Sequence, residues 1–299
     1  MKKKAVAGLV LVAVLSLGLF LFFRGILIPV EAERIYFGDD SGFGSCPPSI
    51  KITSQYYENH SRYFVNFTIL TNSSSSLELS LEGVIEEHVC IPEGIVLYTY
   101  YPGDWAGINA AFVDYSLNIV WKRHFQAFPM KYHNGELLLT SSCIYFVNAS
   151  TGDLSREICP GVARAQVHGV KILGDETYFT VVHYSVFTMN SQVHIYRVKD
   201  GKREKALIVK MDEHLLGARA ILDVSEEYVA VAYYLRGVSG AEKNGLCVFE
   251  RNTFRKISCR ELKADNRPLE VKLRGDMVYL QTTKGLEVYR ILTLRLRHP

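Results

Sequence analysis

An all-β architecture is predicted for most of this 299-residue chain. Three observations predict it. Helical periodicity is nearly absent beyond residue 50, short β-branched and aromatic runs alternate with turn residues, and one turn–strand unit recurs along the chain. The recurring unit is a turn followed by an apolar strand: "PEGIVLYTYY" (92–101), "HNGELLLTSS" (133–142), "LGDETYFTVV" (173–182), "VSEEYVAVAY" (224–233) and "RGDMVYLQTT" (274–283). A second hairpin recurs downstream: "AAFVDYSLNIVWKRHF" (110–125), "CIYFVNASTGDLSREIC" (143–159), "VHIYRVKDGKREKALIV" (193–209) and "CVFERNTFRKISC" (247–259).

The turns return every 40 to 50 residues or so, and four strands per repeat of that length is what a β-propeller blade requires. The expectation is an all-β propeller of about five to six blades, each a four-stranded antiparallel sheet, behind a single N-terminal transmembrane helix.

The helix comes first in the chain. After Met-Lys-Lys-Lys the sequence is uncharged from Ala5 to Phe23, 19 residues rich in Leu, Val and Phe. About 20 apolar residues cross a bilayer as a helix, and the lysines before them stay cytoplasmic. Residues 1–24 are therefore expected to be a signal-anchor that holds a single-pass protein in the cell membrane with its C-terminal domain extracellular. A cleaved signal peptide is the rival. Its apolar region is usually only about 7–15 residues, and "IPVEAE" (28–33) offers no clean small-x-small site. A prepilin-like signal around Lys4-Ala5-Val6-Ala7 is a third option.

Residues 25–49 contain Gly, Pro, Asp and Ser without sustained periodicity and read as a juxtamembrane stalk. The propeller domain is expected over 50–299. Its first part, 50–89, holds three strands, "IKITSQYY", "RYFVNFTIL" and "SLELSLEGV". They supply a further blade that helps close the ring with the C-terminal strand "LEVYRIL", or they form a small β-sandwich of their own. The one plausible helical turn is Met211 to Ala218.

Six cysteines, Cys46, Cys90, Cys143, Cys159, Cys247 and Cys259, form an even set without Cys-x-x-Cys spacing, so zinc and thioredoxin-type sites lack their usual pattern. Disulfides are the natural reading outside the membrane; unrelated buried thiols are the alternative. A turn at Ser150-Thr151-Gly152, with glycine at the left-handed position, sets Cys143 opposite Cys159. Folding about Thr253 sets Cys247 opposite Cys259. Opposed strand residues have Cα atoms about 4.5–5.5 Å apart, within bridging range. Cys46 and Cys90 are left for each other. Four sequons, at Asn59, Asn66, Asn72 and Asn148, agree with export and glycosylation, although each alone is a weak signal.

"YFVNASTGDLSREI" resembles the strand–turn–strand signature of PQQ-like (quinoprotein-like) and WD40-like propeller repeats, in which an apolar strand runs into Thr-Gly and then into a strand bearing an aromatic. Trp121 in "NIVWKRHF" fits the aromatic position; Ser155 stands there in the repeat that holds Thr151 and Gly152. The resemblance covers about residues 90–299 and implies a propeller. A quinoprotein dehydrogenase would be the enzyme it suggests, but adjacent cysteines are missing and the chain has only two tryptophans. No cofactor is expected.

The chain carries a formal charge of +3, of which Lys2, Lys3, Lys4 and Arg24 supply four positive charges, leaving residues 25–299 at −1. A nucleic-acid partner would need a concentrated basic face, so none is expected. The histidine pairs His124/His133 and His183/His194 lack short metal-ligand spacing, and no metal is expected. Asp39-Asp40, Glu86-Glu87 and Glu226-Glu227 are adjacent, so in extended chain the members of each pair point to opposite sides. Arg274-Gly275-Asp276 spells an adhesion tripeptide but falls where sister repeats place a turn. "YTYYPGDW" concentrates Tyr98, Tyr100, Tyr101 and Trp105 beside a Pro-Gly turn, a pattern suited either to recognition or to packing within a blade. With no catalytic motif present, the expected function is binding or scaffolding for an extracellular protein or carbohydrate, not enzymatic. The alternative is a propeller hydrolase or lyase whose acid–base pair converges in the axial funnel.

Overall fold

The computed structural model describes residues 25–30, 43–59, 62–72, 74–101, 107–185 and 190–293. The membrane helix expected at 1–24 lies outside them. Among the described residues no helix is long and apolar enough to cross a membrane. They form 23 β-strands in six antiparallel sheets, and the chain divides into two compact units, Gly38–Gly161 and Met1–Phe37 with Val162–Pro299.

Strand β1 (Ile26–Pro29) belongs to the second of these units. The Gly38–Gly161 unit holds three sheets. A three-stranded one joins β2 (Ile50–Asn59), β3 (Arg62–Thr71) and β4 (Ser76–Glu82). Next come the meander β5 (Ile85–Ile91), β6 (Gly94–Tyr100), β7 (Ile108–Asp114) and β8 (Ile119–Phe125), and the meander β9 (Phe128–His133), β10 (Glu136–Thr140), β11 (Ile144–Asn148) and β12 (Leu154–Ile158). The other unit repeats the meander with β13 (Ala165–Leu173), β14 (Glu176–Ser185), β15 (Asn190–Lys199) and β16 (Lys202–Met211), and with β17 (Leu215–Val224), β18 (Tyr228–Gly237), β19 (Glu242–Glu250) and β20 (Lys256–Leu262). Its last sheet contains β21 (Pro268–Arg274), β22 (Met277–Thr282) and β23 (Gly285–Leu292), with β1 as the fourth strand.

The five recurring turns all join the first and second strands of a meander, and the second hairpins join the third and fourth. Local chemistry explains them. Asn134-Gly135 and Asp200-Gly201 both have positive φ, which a two-residue hairpin of matching twist requires. In the longer loop after β11, Asn148 Oδ1 accepts the Ser150 and Thr151 amides at 2.9 and 3.1 Å, and Gly152 takes φ 71°.

Three expectations change. Residues 26–29 of the expected stalk are β1, paired with β23 from Ile26↔Leu292 to Pro29↔Tyr289. The partner of the C-terminal strand is therefore this N-terminal segment and not residues 50–85. Residues 50–89 are not a separate sandwich either. Strand β5 belongs to the following sheet, and β2–β4 is a single layer whose Val65, Phe67, Ile69, Leu79 and Leu81 cluster with Ile95, Leu97, Ala111 and Val113 of β6 and β7. Finally, Met211 to Ala218 forms no helical turn, since β16 runs to Met211, the chain bends at Asp212 and Glu213, and β17 starts at Leu215. Leu216 is the extra residue of a bulge there and is 66% exposed, so it gives a helix no apolar face to bury.

Neighbouring sheets within each unit are coupled by side chains that dock on the next sheet's turn. Trp121 of β8 is buried and donates from Nε1 to Ala149 O at 2.8 Å. A Cβ on Gly152 would come within 2.8 Å of the indole, so the glycine permits the approach as well as the φ. In the other unit Arg197 of β15 donates to Arg251 O at 2.5 Å, the corresponding carbonyl of the loop after β19, and its guanidinium lies 5.4 Å from the Phe254 ring centroid. Trp121→Phe is expected to cost about 1–2 kcal/mol through the lost hydrogen bond and smaller ring. Gly152→Ala should cost less in that background than in the parent, because the two positions touch. Thermal melts of the four proteins check both statements, and strict additivity would contradict the docking.

A buried carboxylate ties two sheets of the same unit. Glu176, 4% exposed, receives Tyr178 OH, Lys199 Nζ at 3.0 Å and Arg251 Nη2 at 2.8 Å. Burial alone would raise its pKa, but the hydrogen bonds from Tyr178, Arg251 and Lys199 outweigh it and hold the carboxyl down at about 2. A depressed carboxyl adds stability that is complete above its ordinary pKa near 4.5 and is lost as pH falls toward 2. The displacement corresponds to about 3 kcal/mol. Glu176→Gln should therefore destabilise the protein at pH 7 by an amount that shrinks between pH 4.5 and pH 2, measured by denaturant unfolding of both proteins across that range. A gap that is independent of pH would sink the assignment.

Candidate binding surface

Strand alternation decides the fate of the aromatic stretch 98–105. Tyr98 and Tyr100 point to one face of β6 and share Glu87: Tyr98 OH donates to Oε2 at 2.5 Å and Tyr100 OH to Oε1 at 3.0 Å. Burial first, and then the Glu87 carboxylate, push both phenol pKa values up, so the rings stay neutral donors. Tyr98 is buried and is a packing residue. Tyr100 sets its ring edge-on to Phe128, 5.4 Å between centroids. Tyr101 faces the other way, its OH 3.4 Å from Tyr63 O and from Glu82 Oε1. Trp105 lies outside the described residues.

The aromatic side chains that do reach solvent come from the neighbouring hairpin. Tyr56, Tyr57 and Tyr63 are 58, 40 and 46% exposed. Tyr57 stacks on Phe64 at 5.3 Å, and its OH is 2.8 Å from Ser80 Oγ. The β2–β3 hairpin, the 82–85 connection and the start of β7 meet at one end of these sheets, and Glu82 pins them. Its carbonyl accepts Thr99 Oγ1 at 2.5 Å and Asn109 Nδ2 at 2.8 Å, while its carboxylate lies 3.5 Å from Arg62. Strand alternation sends Tyr56 and Tyr63 to one face of the hairpin and Tyr57, with Phe64, to the other, so the outcome is a hairpin with exposed tyrosines on both faces, on a hydrogen-bonded base. The signal was present in "QYYENHSRYF" (55–64), four aromatics flanking a tight hairpin.

A cavity of about 250 Å³ opens in the same unit, walled by Phe125, Ala127, Leu139, Tyr145, Val147 and Leu154. A more polar one of about 420 Å³ lies beside the Cys46–Cys90 disulfide. All six cysteines are paired, as Cys46–Cys90, Cys143–Cys159 and Cys247–Cys259, with Cα–Cα distances of 5.2, 4.3 and 4.1 Å. Cys247 and Cys259 are direct register partners on β19 and β20.

The sequon residues Asn59, Asn66, Asn72 and Asn148 are all exposed. Glu86 and Glu87 diverge: Glu86 accepts Ser54 Oγ at 2.9 Å while Glu87 serves the tyrosines. Glu226 and Glu227 lie exposed before β18, and Asp39-Asp40 falls outside the described residues. His183 and His194 come to one face of β14 and β15. Burial, and then the charges of Lys205 and His183, lower the His194 pKa to about 4. Among the described residues no three His, Cys, Asp or Glu side chains group as metal ligands. Arg274-Gly275-Asp276 forms the β21–β22 turn, with Gly275 at φ 58°.

No family model matches the chain, and no curated protein matches it. Solved structures similar to it include BamB from Moraxella catarrhalis, with 12% identity over 92% of this chain and 99% of that one and a TM-score of 0.37. The β-propeller domain of the Trilobed protease from Pyrococcus furiosus has 12% identity, 90% and 82% coverage and a TM-score of 0.43. The Nup133 β-propeller domain from Vanderwaltozyma polyspora has 10% identity, 83% and 84% coverage and a TM-score of 0.43.

Proposed function

We propose that this chain is a membrane-anchored, outward-facing binding module, built from propeller-like repeats, that presents the tyrosine-bearing β2–β3 hairpin of its Gly38–Gly161 unit to an extracellular protein or carbohydrate. The observation that carries the reading is the exposure of Tyr56, Tyr57 and Tyr63 on one hairpin, Tyr56 and Tyr63 on one face and Tyr57 on the other, at the end of a hydrogen-bonded sheet. Large apolar rings held on a rigid base lose little side-chain freedom on binding, and their hydroxyls add direction. Asn59, Asn66, Asn72 and Asn148 are the glycan-bearing positions in this reading, and the disulfides staple the fold that displays the hairpin.

The test uses the full chain in detergent, screened against a glycan array and by crosslinking to intact cells, beside a Tyr56→Ser, Tyr57→Ser, Tyr63→Ser variant. The expected result is specific capture that the variant loses by tenfold or more, about 1.4 kcal/mol, with an unchanged melting temperature. Equal capture by the variant removes the tyrosine surface from the reading. Sustained turnover of a polysaccharide or peptide by the purified chain overturns the binding role itself.

A further inference from the structure

We propose that the β1–β23 edge of the second unit is seated directly on the bilayer, so that the anchor runs into the fold with no stalk between them. The inference rests on the membrane-anchor reading and specifies its geometry. The apolar run ends at Phe23, which leaves Arg24 alone between it and Gly25. Gly25 is already locked into the fold. A Cβ there would lie 2.2 Å from Ile257 Cγ2, 2.8 Å from Thr293 Cγ2 and 2.9 Å from Leu292 O. One residue of extended chain spans at most about 3.6 Å. The membrane end of the anchor therefore cannot be far from Leu292 and Ile257.

The side chains around that point suit an interface with lipid. Ile28 and Leu292 are exposed apolar residues on the two paired strands, 36 and 38% accessible. Lys256 precedes the Ile257 that touches Gly25, and Arg290, the register partner of Ile28, is half-exposed with its Nε 3.5 Å from Asp276 Oδ2. Basic side chains with long stems reach headgroup oxygens while their methylenes lie against the acyl boundary. The opposite end of β23, at the Thr283–Lys284 turn, lies about 25 Å away along the strand.

The pairing also bears on processing. Cleavage near "IPVEAE" (28–33) would remove β1, whose Leu27 is part of the core with Ile257, Leu280 and Ile291. Cleavage at that site would therefore cost the last sheet its fourth strand.

The experiment places a fluorophore on Leu292→Cys or on Lys284→Cys in the full chain, the six native cysteines being paired. Each protein is reconstituted into nanodiscs whose lipids carry a headgroup quencher. Quenching at position 292 should exceed that at 284 by about threefold or more, given the length of the strand. Ten Gly-Ser residues inserted between Arg24 and Gly25 should reduce the quenching at 292 by a similar factor without changing the melting temperature. Equal quenching at the two positions, or indifference to the linker, overturns the seating. An intact mass that lacks residues 1–24 instead overturns the anchor reading on which it rests.

Discussion

A fragment that begins at residue 34 should melt roughly 5–15 °C below one that begins at Gly25. The shorter fragment looks natural from sequence alone, since it removes the apolar run and the expected stalk. It also removes β1. Leu27 is 9% exposed within a cluster that includes Tyr228, Ile257, Leu280 and Ile291, so its loss opens a cavity in the core. Truncation of such a leucine costs about 2–5 kcal/mol, and each kcal/mol moves the midpoint of a domain this size by about 2–4 °C. Strand β23 would be left as an unpaired edge carrying Val288, Tyr289 and Ile291, a template for pairing with another copy. Size-exclusion chromatography and thermal melts of the two fragments, with Leu27→Ala in the longer one as an intermediate case, test this. Equal midpoints and a monodisperse shorter fragment would show that β1 contributes nothing to the fold.

The disulfides should rank by the length of chain they close. Cys46–Cys90 spans 44 residues, against 16 and 12 for the other two. The loop-entropy account gives about 4 kcal/mol for the long loop and about 3 kcal/mol for each short one. The paired variant Cys46→Ala with Cys90→Ala should therefore show the largest fall in melting temperature of the three paired variants. Segment 43–46 is held beside β5 by the bridge, by Gly44 N donating to Cys90 O at 2.8 Å and by Phe43 packed on the neighbouring core cluster, with no strand ladder of its own. The short bridges reinforce hairpins that the ladder already pairs. A larger fall for Cys143–Cys159 or Cys247–Cys259 would mean that native-state contacts outweigh the loop term. Non-reducing peptide mapping checks the connectivity, and a Cys143–Cys247 crosslink would contradict the sheet assignment.

The hairpins were legible because their signals are local. Asn134-Gly135, Asp200-Gly201 and the "NASTG" loop each name a turn type, and alternating apolar residues on either side name the strands. Turn spacing alone also located Cys143–Cys159 and Cys247–Cys259, whereas Cys46–Cys90 followed only by elimination. What escaped depends on distant partners or on geometry that has no residue code. Strand β1 is four residues long, ends in proline, and pairs with a segment more than 250 residues away. The outer strands β8, β12, β16 and β20 each carry one extra residue, Val120, Ser155, Ile208 and Ile257, and four such different side chains could not announce a shared bulge. Concentration of aromatics drew attention to 98–105. Pairing with Glu87 absorbed Tyr98 and Tyr100, while the solvent-facing rings lay in the 55–64 hairpin.

The antiparallel match of β1 with β23 also fixes how the molecule answers mechanical load. Ile26 lies opposite Leu292 and Pro29 opposite Tyr289, so the rungs are crossed in sequence from the end nearest Gly25. A force that separates residues 25 and 293 sideways meets one rung at a time and unzips the strand. A force that draws the sheets outward along the strand axis, with residue 25 held fixed, strains every rung together, because hydrogen bonds perpendicular to the strands then share the shear. A tether built this way yields to peeling and resists an outward tug.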